Sequence, residues 1–164
     1  MAKRSVPRRR SARKTVARAG RPKAAAPSIR YLESSALVAA LLEHDPAVLK
    51  PLAAGTQLVT SAMTLAETGR AIVRARAAAR LTPGEEQAAV RALRTFERRC
   101  FILDVDRAVL ARVRRPFPIE PIRTLDAVHL ATTELLSEAP QVVTIVTRDV
   151  RVRDNARALG YIVE

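Results

Sequence analysis

The chain of 164 residues has one cysteine, no tryptophan and five other aromatic side chains. A lone Cys100 cannot form an internal disulfide and has no partner at metal-ligand spacing, which excludes a disulfide framework and a thiolate zinc site. It suits a buried small apolar position where a helix meets a strand. Phe96, Phe101 and Phe117 are too scattered to form a base-stacking platform, so recognition of nucleic acid would rest on shape and charge. The five glycines lie far apart, and none builds the Gly-rich turn that a dinucleotide-binding enzyme needs after its first strand. Every long apolar run is broken by Arg or Glu, well short of the roughly 20 residues required to span a bilayer. No membrane segment, secretory signal or disulfide is therefore expected, and the expected location is cytoplasmic.

Against these scarcities stand an apolar fraction of 48% and a formal charge of +13. The apolar content suffices for a packed core in a chain of this size. The charge is unevenly spread. Residues 1–28 carry ten Lys or Arg and no acid, whereas the other 19 bases face all 16 acids, leaving residues 29–164 a net charge of only +3. The first 28 residues are also rich in Ala, Ser and Pro without apolar periodicity. Such a segment buries too little apolar surface to offset the entropy of ordering. The expectation is a basic, disordered arm at 1–28 followed by one domain at 29–164. The arm suits either electrostatic attraction to phosphates or no role beyond an extension.

From residue 29 onward, short apolar runs alternate with helical patterns. Strands are expected at 29–33, 57–60, 101–103, 142–146 and 161–163. Helices are expected at 34–43, 46–54, about 63–80, about 83–99, 106–113, 123–137 and 150–159, with a Pro-rich loop at 117–121. Thr82-Pro83-Gly84 punctuates the two long central helices, and Gly160 stops the last one. The run Val142-Val143-Thr144-Ile145-Val146 suits a buried parallel strand. Strands separated by helices imply an α/β fold: a central, mostly parallel sheet of four to five strands, covered by helices on both faces.

Ligands of open parallel sheets bind outside the carboxyl ends of the strands, and three acids fall where this edge is expected, with a fourth, Asp126, placed there only by the resemblance given below. Glu33 ends the first strand, Glu67 lies in the first turns of the helix after the second, and Asp149 follows the 142–146 strand. Asp126, near the start of the 123–137 helix, joins them if that helix points its N-terminus at the same edge. Carboxylates converging on one spot repel unless a cation neutralises them or some take up protons. Oxygen-only ligands suit Mg²⁺ or Mn²⁺, and such an ion promotes phosphodiester hydrolysis. Each acid also has a plain structural role open to it. Glu67 fits a capping box with Thr64, Asp126 complements a helix dipole, Asp149 caps the helix from Val150, and Glu33 suits a solvated strand end.

The contexts of these acids carry a family resemblance. Tyr31-Leu32-Glu33-Ser34-Ser35-Ala36-Leu37-Val38, Thr64-Leu65-Ala66-Glu67, Leu125-Asp126-Ala127-Val128-His129-Leu130-Ala131, and Thr147-Arg148-Asp149 with Ala156-Arg157-Ala158-Leu159-Gly160 resemble, in order and spacing, the motifs of PIN-domain ribonucleases. The likeness is to the VapC-like toxins of type II toxin–antitoxin pairs. It covers the chain from about residue 29 to the C-terminus and leaves the arm without a counterpart. The resemblance implies a PIN-like three-layer fold and Mg²⁺- or Mn²⁺-dependent cleavage of RNA, with transfer RNA as the suggested substrate class. It further implies a homodimer and inhibition by a small antitoxin protein. Glu33, Glu67, Asp126 and Asp149 would be the metal-binding carboxylates, and Ser35 and Thr147 hydroxyls that orient them. The family pattern has Asp where this chain has Glu33, which moves the carboxylate roughly 1.3–1.5 Å on an unchanged backbone. From the pattern alone, Glu33→Asp is expected to keep or raise activity. The alternative that Glu33 leaves open is a catalytically impaired PIN-fold protein that binds RNA or a partner.

Arg123 and Arg148 flank the third and fourth acids and suit a bidentate grip on a substrate phosphate; the competing expectation for each is a salt bridge to a carboxylate. Arg70, Arg74 and Arg80, with Arg76 nearby, decorate one helix as a solvated face or a track for RNA backbone. His129, three positions after Asp126, suits a core or supporting histidine better than a metal ligand or base, and His44 sits in a His-Asp-Pro turn. A receiver-type signalling domain also gathers acids at a sheet edge but needs a lysine after a late strand; the lysines here, Lys3, Lys14, Lys23 and Lys50, all lie in the first third.

Overall fold

A computed structural model describes residues 28–48, 56–136 and 139–164. Within them the chain forms β1 (Ile29–Leu32), α1 (Ser34–Leu42), β2 (Gln57–Ser61), α2 (Ala62–Ala77), α3 (Pro83–Glu97), β3 (Phe101–Leu103), α4 (Arg107–Val113), α5 (Thr124–Leu136), a 3₁₀ turn at Pro140–Val142, β4 (Val143–Val146), α6 (Val150–Ala158) and β5 (Ile162–Val163). The strands form one sheet in the order β3-β2-β1-β4-β5, and every neighbouring pair is parallel. The expected α/β architecture is therefore present.

Alternation of side chains along each strand separates two cores. Tyr31, Val59, Val143 and Ile145 face α4, α5 and α6 through Val109, Val128, Leu130 and Val152. Leu32 and Val146 face the other way, onto Ala36 and Leu37 of α1 and Phe96 of α3. The result is three layers with the sheet in the middle. Each such large side chain contributes roughly 1.5–3 kcal/mol relative to exposure.

Local chemistry sets the helix ends. Thr82 and Glu85 form a reciprocal capping box at α3, with Pro83 in its first turn. Gly160 adopts a φ of 90° just beyond α6, a left-handed turn that costs glycine nothing. α2 ends at Ala77, before the expected residue 80, because Ala79 turns left-handed at a φ of 55° and the N–H of Arg80 closes back on the Ala75 carbonyl. The expected helix at 46–54 is not borne out where it can be followed: residues 46–48 form a turn, and 49–55 lie outside the described residues. Asp45 accepts from the Ala47 N–H there, and the Val48 carbonyl accepts from the Arg30 guanidinium. The arm at 1–27 also lies outside the described residues.

The strand order fixes where a site can form. The chain winds outward from β1 through β2 to β3, then returns to place β4 on the opposite side of β1. The crevice between the carboxyl ends of β1 and β4 is a topological switch point, where parallel sheets bind ligands. Because α5 leads into the start of β4, it runs against the strands and aims its N-terminus at this same edge. On that face, Asn155 of α6 accepts from the Ile119 N–H and donates to the Ile119 carbonyl, which ties down the Pro-rich loop before α5.

Candidate active site

Glu33 is the first residue beyond β1 and the N-cap of α1. It is 3% exposed, so the solvated strand end is not what forms. One oxygen accepts from the Ser34 hydroxyl at 2.6 Å and the Ser35 N–H at 3.0 Å. The other accepts from the Ser35 hydroxyl and from Thr147 Oγ1 at 2.8 Å. Ser35 Oγ in turn accepts from the N–H groups of Arg148 and Asp149, and Thr147 Oγ1 also accepts from the Asp149 N–H. One carboxylate and two hydroxyls thereby lock the end of β1 to the end of β4. Asp149 caps α6, accepting at one oxygen from the N–H groups of Arg151 and Val152.

Glu67 reaches the same place from α2. The N-terminus of that helix is capped by Ser61, whose hydroxyl accepts from the Thr64 N–H. The Thr64–Glu67 capping box does not form; Glu67 lies a turn deeper and meets His129, with Oε2 2.7 Å from Nε2. The same ring nitrogen is 3.6 Å from Glu33 Oε1. Ligand atoms of Glu33, Glu67 and His129 all lie within 4.8 Å of one another. Burial raises the Glu67 carboxyl, but the His129 hydrogen bond and charge, backed by Ser34 and Arg74, outweigh it and hold it below the ordinary carboxylate range.

The Asp126 carboxyl is shifted in the opposite direction. Burial pushes its carboxyl up, and the charges of Asp149 and Glu33 push in the same direction against Arg123 and His129. Among the described residues the close group is Glu33, Glu67 and His129; Asp126 and Asp149 lie outside it. Asp126 Oδ2 is buried without a hydrogen-bond partner. An orphaned, buried carboxylate oxygen beside other carboxylates is costly for the chain alone and fits a bound divalent cation. The carboxylates offer hard oxygen, as Mg²⁺ or Mn²⁺ prefers, and the His129 ring is hydrogen-bonded to one of them.

The flanking cations divide. Arg148 is committed to Asp45, with Nε at 2.9 Å and Nη2 at 2.6 Å from Oδ2, so the salt bridge is what forms in place of an open phosphate fork. Arg123 is exposed. Arg70, Arg74 and Arg80 are exposed as well, while Arg76 lies 3.5 Å from Glu86. Burial pushes the Cys100 thiol up to about 12, which suits an inert, half-buried position. Tyr31, Asp45 and the central placement of His129 went unforeseen. The signal for His129 was its spacing: three residues after Asp126 on one helix, it shares that residue's face.

A parallel sheet with an acidic cluster at its switch point defines a class, and the PIN domain family model matches residues 30–158. The chain belongs to the PIN-domain family. Among its relatives are the VapC ribonucleases: Ribonuclease VapC35 of Mycobacterium tuberculosis is 34% identical over 138 residues, covering 81% of this chain and 93% of that protein. Ribonuclease VapC46 of the same organism is 36% identical over 136 residues, covering 81% and 94%. The fold is shared with VapBC2 from Rickettsia felis bound to a DNA fragment from their promoter, at a TM-score of 0.57 and 19% identity over 83% of this chain and 97% of that one. FitAB bound to an IR36 DNA fragment gives a TM-score of 0.55 and 23% identity over 82% and 93%.

Proposed function

We propose that the chain is a divalent-metal-dependent endoribonuclease that acts as the toxin of a toxin–antitoxin pair. The observation that carries this reading is the meeting of Glu33 and Glu67 at the sheet edge, together with a buried, partnerless oxygen on Asp126, whose carboxyl feels the charges of Asp149 and Glu33, in a chain related to proteins named ribonucleases. Glu33, Glu67, Asp126 and Asp149 would hold Mg²⁺ or Mn²⁺. The bound ion supplies a water activated for attack and stabilises charge on the phosphoryl group. The chain's own residues do the rest. Ser35 and Thr147 fix the Glu33 carboxylate and the backbone that bears Asp149. Arg123, exposed beside Asp126, is suited to hold a substrate phosphate, whereas Arg148 would first have to leave Asp45.

The proposed partners are RNA, of which transfer RNA is the class to try first, a small antitoxin protein and a second copy of the chain. The basic segment 1–28, ahead of a domain at 29–164, would add charge that attracts RNA. One observation favours a second reading. Both Glu33 oxygens accept two hydrogen bonds each, from Ser34, Ser35 and Thr147, which suits an acid that holds structure in an impaired, RNA- or partner-binding PIN protein. Induced expression in a bacterial host separates the two. A toxin ribonuclease arrests growth with loss of RNA, and Asp126→Asn abolishes the arrest. Equal effects of wild type and Asp126→Asn, or none from either, would favour the binding role.

A further inference from the structure

We propose that His129 is a positioning residue of the acidic site, which, anchored by Tyr31, fixes the Glu67 carboxylate and its spacing from Glu33. The inference rests on the metal-site reading above and deepens it. His129 is 2% exposed, and Tyr31 is fully buried beside it in the core. The ring is held at both nitrogens: Nδ1 lies 3.2 Å from the Tyr31 hydroxyl, and Nε2 lies 2.7 Å from Glu67 Oε2. An ionised carboxylate only accepts, so Nε2 carries the hydrogen that Glu67 receives, and Nδ1 is the atom left to Tyr31. Nε2 also lies 3.6 Å from Glu33 Oε1, so one N–H faces two of the carboxylates.

The physical need for such a group is specific to this site. Glu67 is the long, flexible acid on α2, and it is 24% exposed at its side chain. Fixing its rotamers costs conformational entropy. Glu33 is already fixed by Ser34, Ser35 and Thr147. His129 supplies the matching restraint for Glu67, and the Tyr31 hydroxyl prevents the ring from turning away. The ring does not serve as a metal ligand itself, because that would require Nε2 to surrender both its hydrogen and its bond to Glu67.

The test titrates Mn²⁺ into the purified full chain and follows free Mn²⁺ by electron paramagnetic resonance. Wild type is compared with His129→Ala, His129→Gln, Tyr31→Phe and Asp126→Asn, and thermal unfolding in chelator reports on the fold. Loss of a hydrogen-bond partner of a ligand typically weakens metal affinity about 10- to 100-fold, and His129→Ala should fall in this range. His129→Gln, which retains a donor, should recover part of the loss. Tyr31→Phe removes one hydroxyl from an intact core and should weaken affinity by a smaller factor; it keeps the inference testable if His129→Ala fails to fold. The bound Mn²⁺ should show no directly coordinated imidazole nitrogen in spin-echo modulation. Wild-type affinity in His129→Ala and Tyr31→Phe, with affinity lost in Asp126→Asn, would overturn the role of His129 alone. A coordinated nitrogen that disappears in His129→Gln would also overturn it, by making His129 a ligand. No Mn²⁺ binding by the wild type would overturn both this inference and the metal-site reading.

Discussion

Shortening Glu33 by one methylene is the perturbation with the sharpest structural expectation. In Glu33→Asp the carboxylate retreats roughly 1.3–1.5 Å toward the backbone. The bond from the Ser35 N–H should survive, since Asp is itself a strong N-cap. The far oxygen, which accepts from Ser35 Oγ and from Thr147 Oγ1 at 2.8 Å, moves out of reach of Thr147. A buried hydrogen bond to a charged group contributes about 1.5–3 kcal/mol. The strand-end link between β1 and β4 should therefore weaken by roughly that amount. At about 2–4 °C per kcal/mol for a domain of this size, the midpoint should fall by roughly 3–12 °C. Thr147→Val removes the same link from the other side and should not add its full effect to the double variant. The assay is chemical and thermal denaturation of both single variants and the double variant. The family pattern speaks to activity, which Glu33→Asp is expected to keep or raise; the hydroxyl cradle speaks to stability, which it should lower. Unchanged or raised stability in Glu33→Asp would show that the hydroxyl cradle is not built around glutamate.

Other expectations follow from the same contacts. Asp126→Asn should raise the thermal midpoint of the metal-free protein at neutral pH, because it removes a buried charge repelled by Asp149 and Glu33. Asp126 is raised in the folded state, so its protonation favours folding at low pH and that contribution is lost as pH rises through its folded value; the gain from Asn should shrink as pH is lowered. Glu67 is lowered in the folded state, so its contribution is present above the ordinary carboxylate range and lost on acidification through its folded value, and Glu67→Gln should narrow the gap to wild type in acid. Asn155→Ala removes two hydrogen bonds to the Ile119 backbone and should cost about 1–3 kcal/mol, at roughly 0.5–1.5 kcal/mol each, read by urea denaturation. Replacing Arg70 and Arg74 by Ala should reduce the salt dependence of RNA binding if that face tracks the backbone, and an unchanged slope would assign both to solvent.

Much of the fold was legible because each strand is a short β-branched or apolar run, and each helix carries its own punctuation. Thr82-Pro83 and Leu159-Gly160 mark ends that the structure reproduces within a residue or two. At 46–48 a turn stands where a helix was expected, since Pro46 suits a turn as well as a first helical turn. Arg30, on the neighbouring strand, bonds the turn's carbonyls at Ala47 and Val48. That tertiary contact has no local signal. The acids were named from strand ends and motif, and of the four Glu33 and Glu67 meet with His129. Their surroundings were not named, because the partners of Glu33 at Thr147 and of Arg148 at Asp45 lie more than a hundred residues away in sequence. Thr64-Leu65-Ala66-Glu67 satisfies the local capping pattern, yet Ser61 takes the cap and frees Glu67 for His129. Local rules give way here to the convergence of α2 and α5 on the sheet edge.

The most direct test of the central claim is cleavage of total RNA by the purified chain with Mn²⁺ or Mg²⁺, run beside Asp126→Asn and a chelator control. Cleavage by wild type, lost both with chelator and with Asp126→Asn, is the predicted result. Cleavage that survives either change would contradict a metal nuclease built on this acidic edge, and silence from the wild type with cleavage by Glu33→Asp would mark a site disabled by its glutamate.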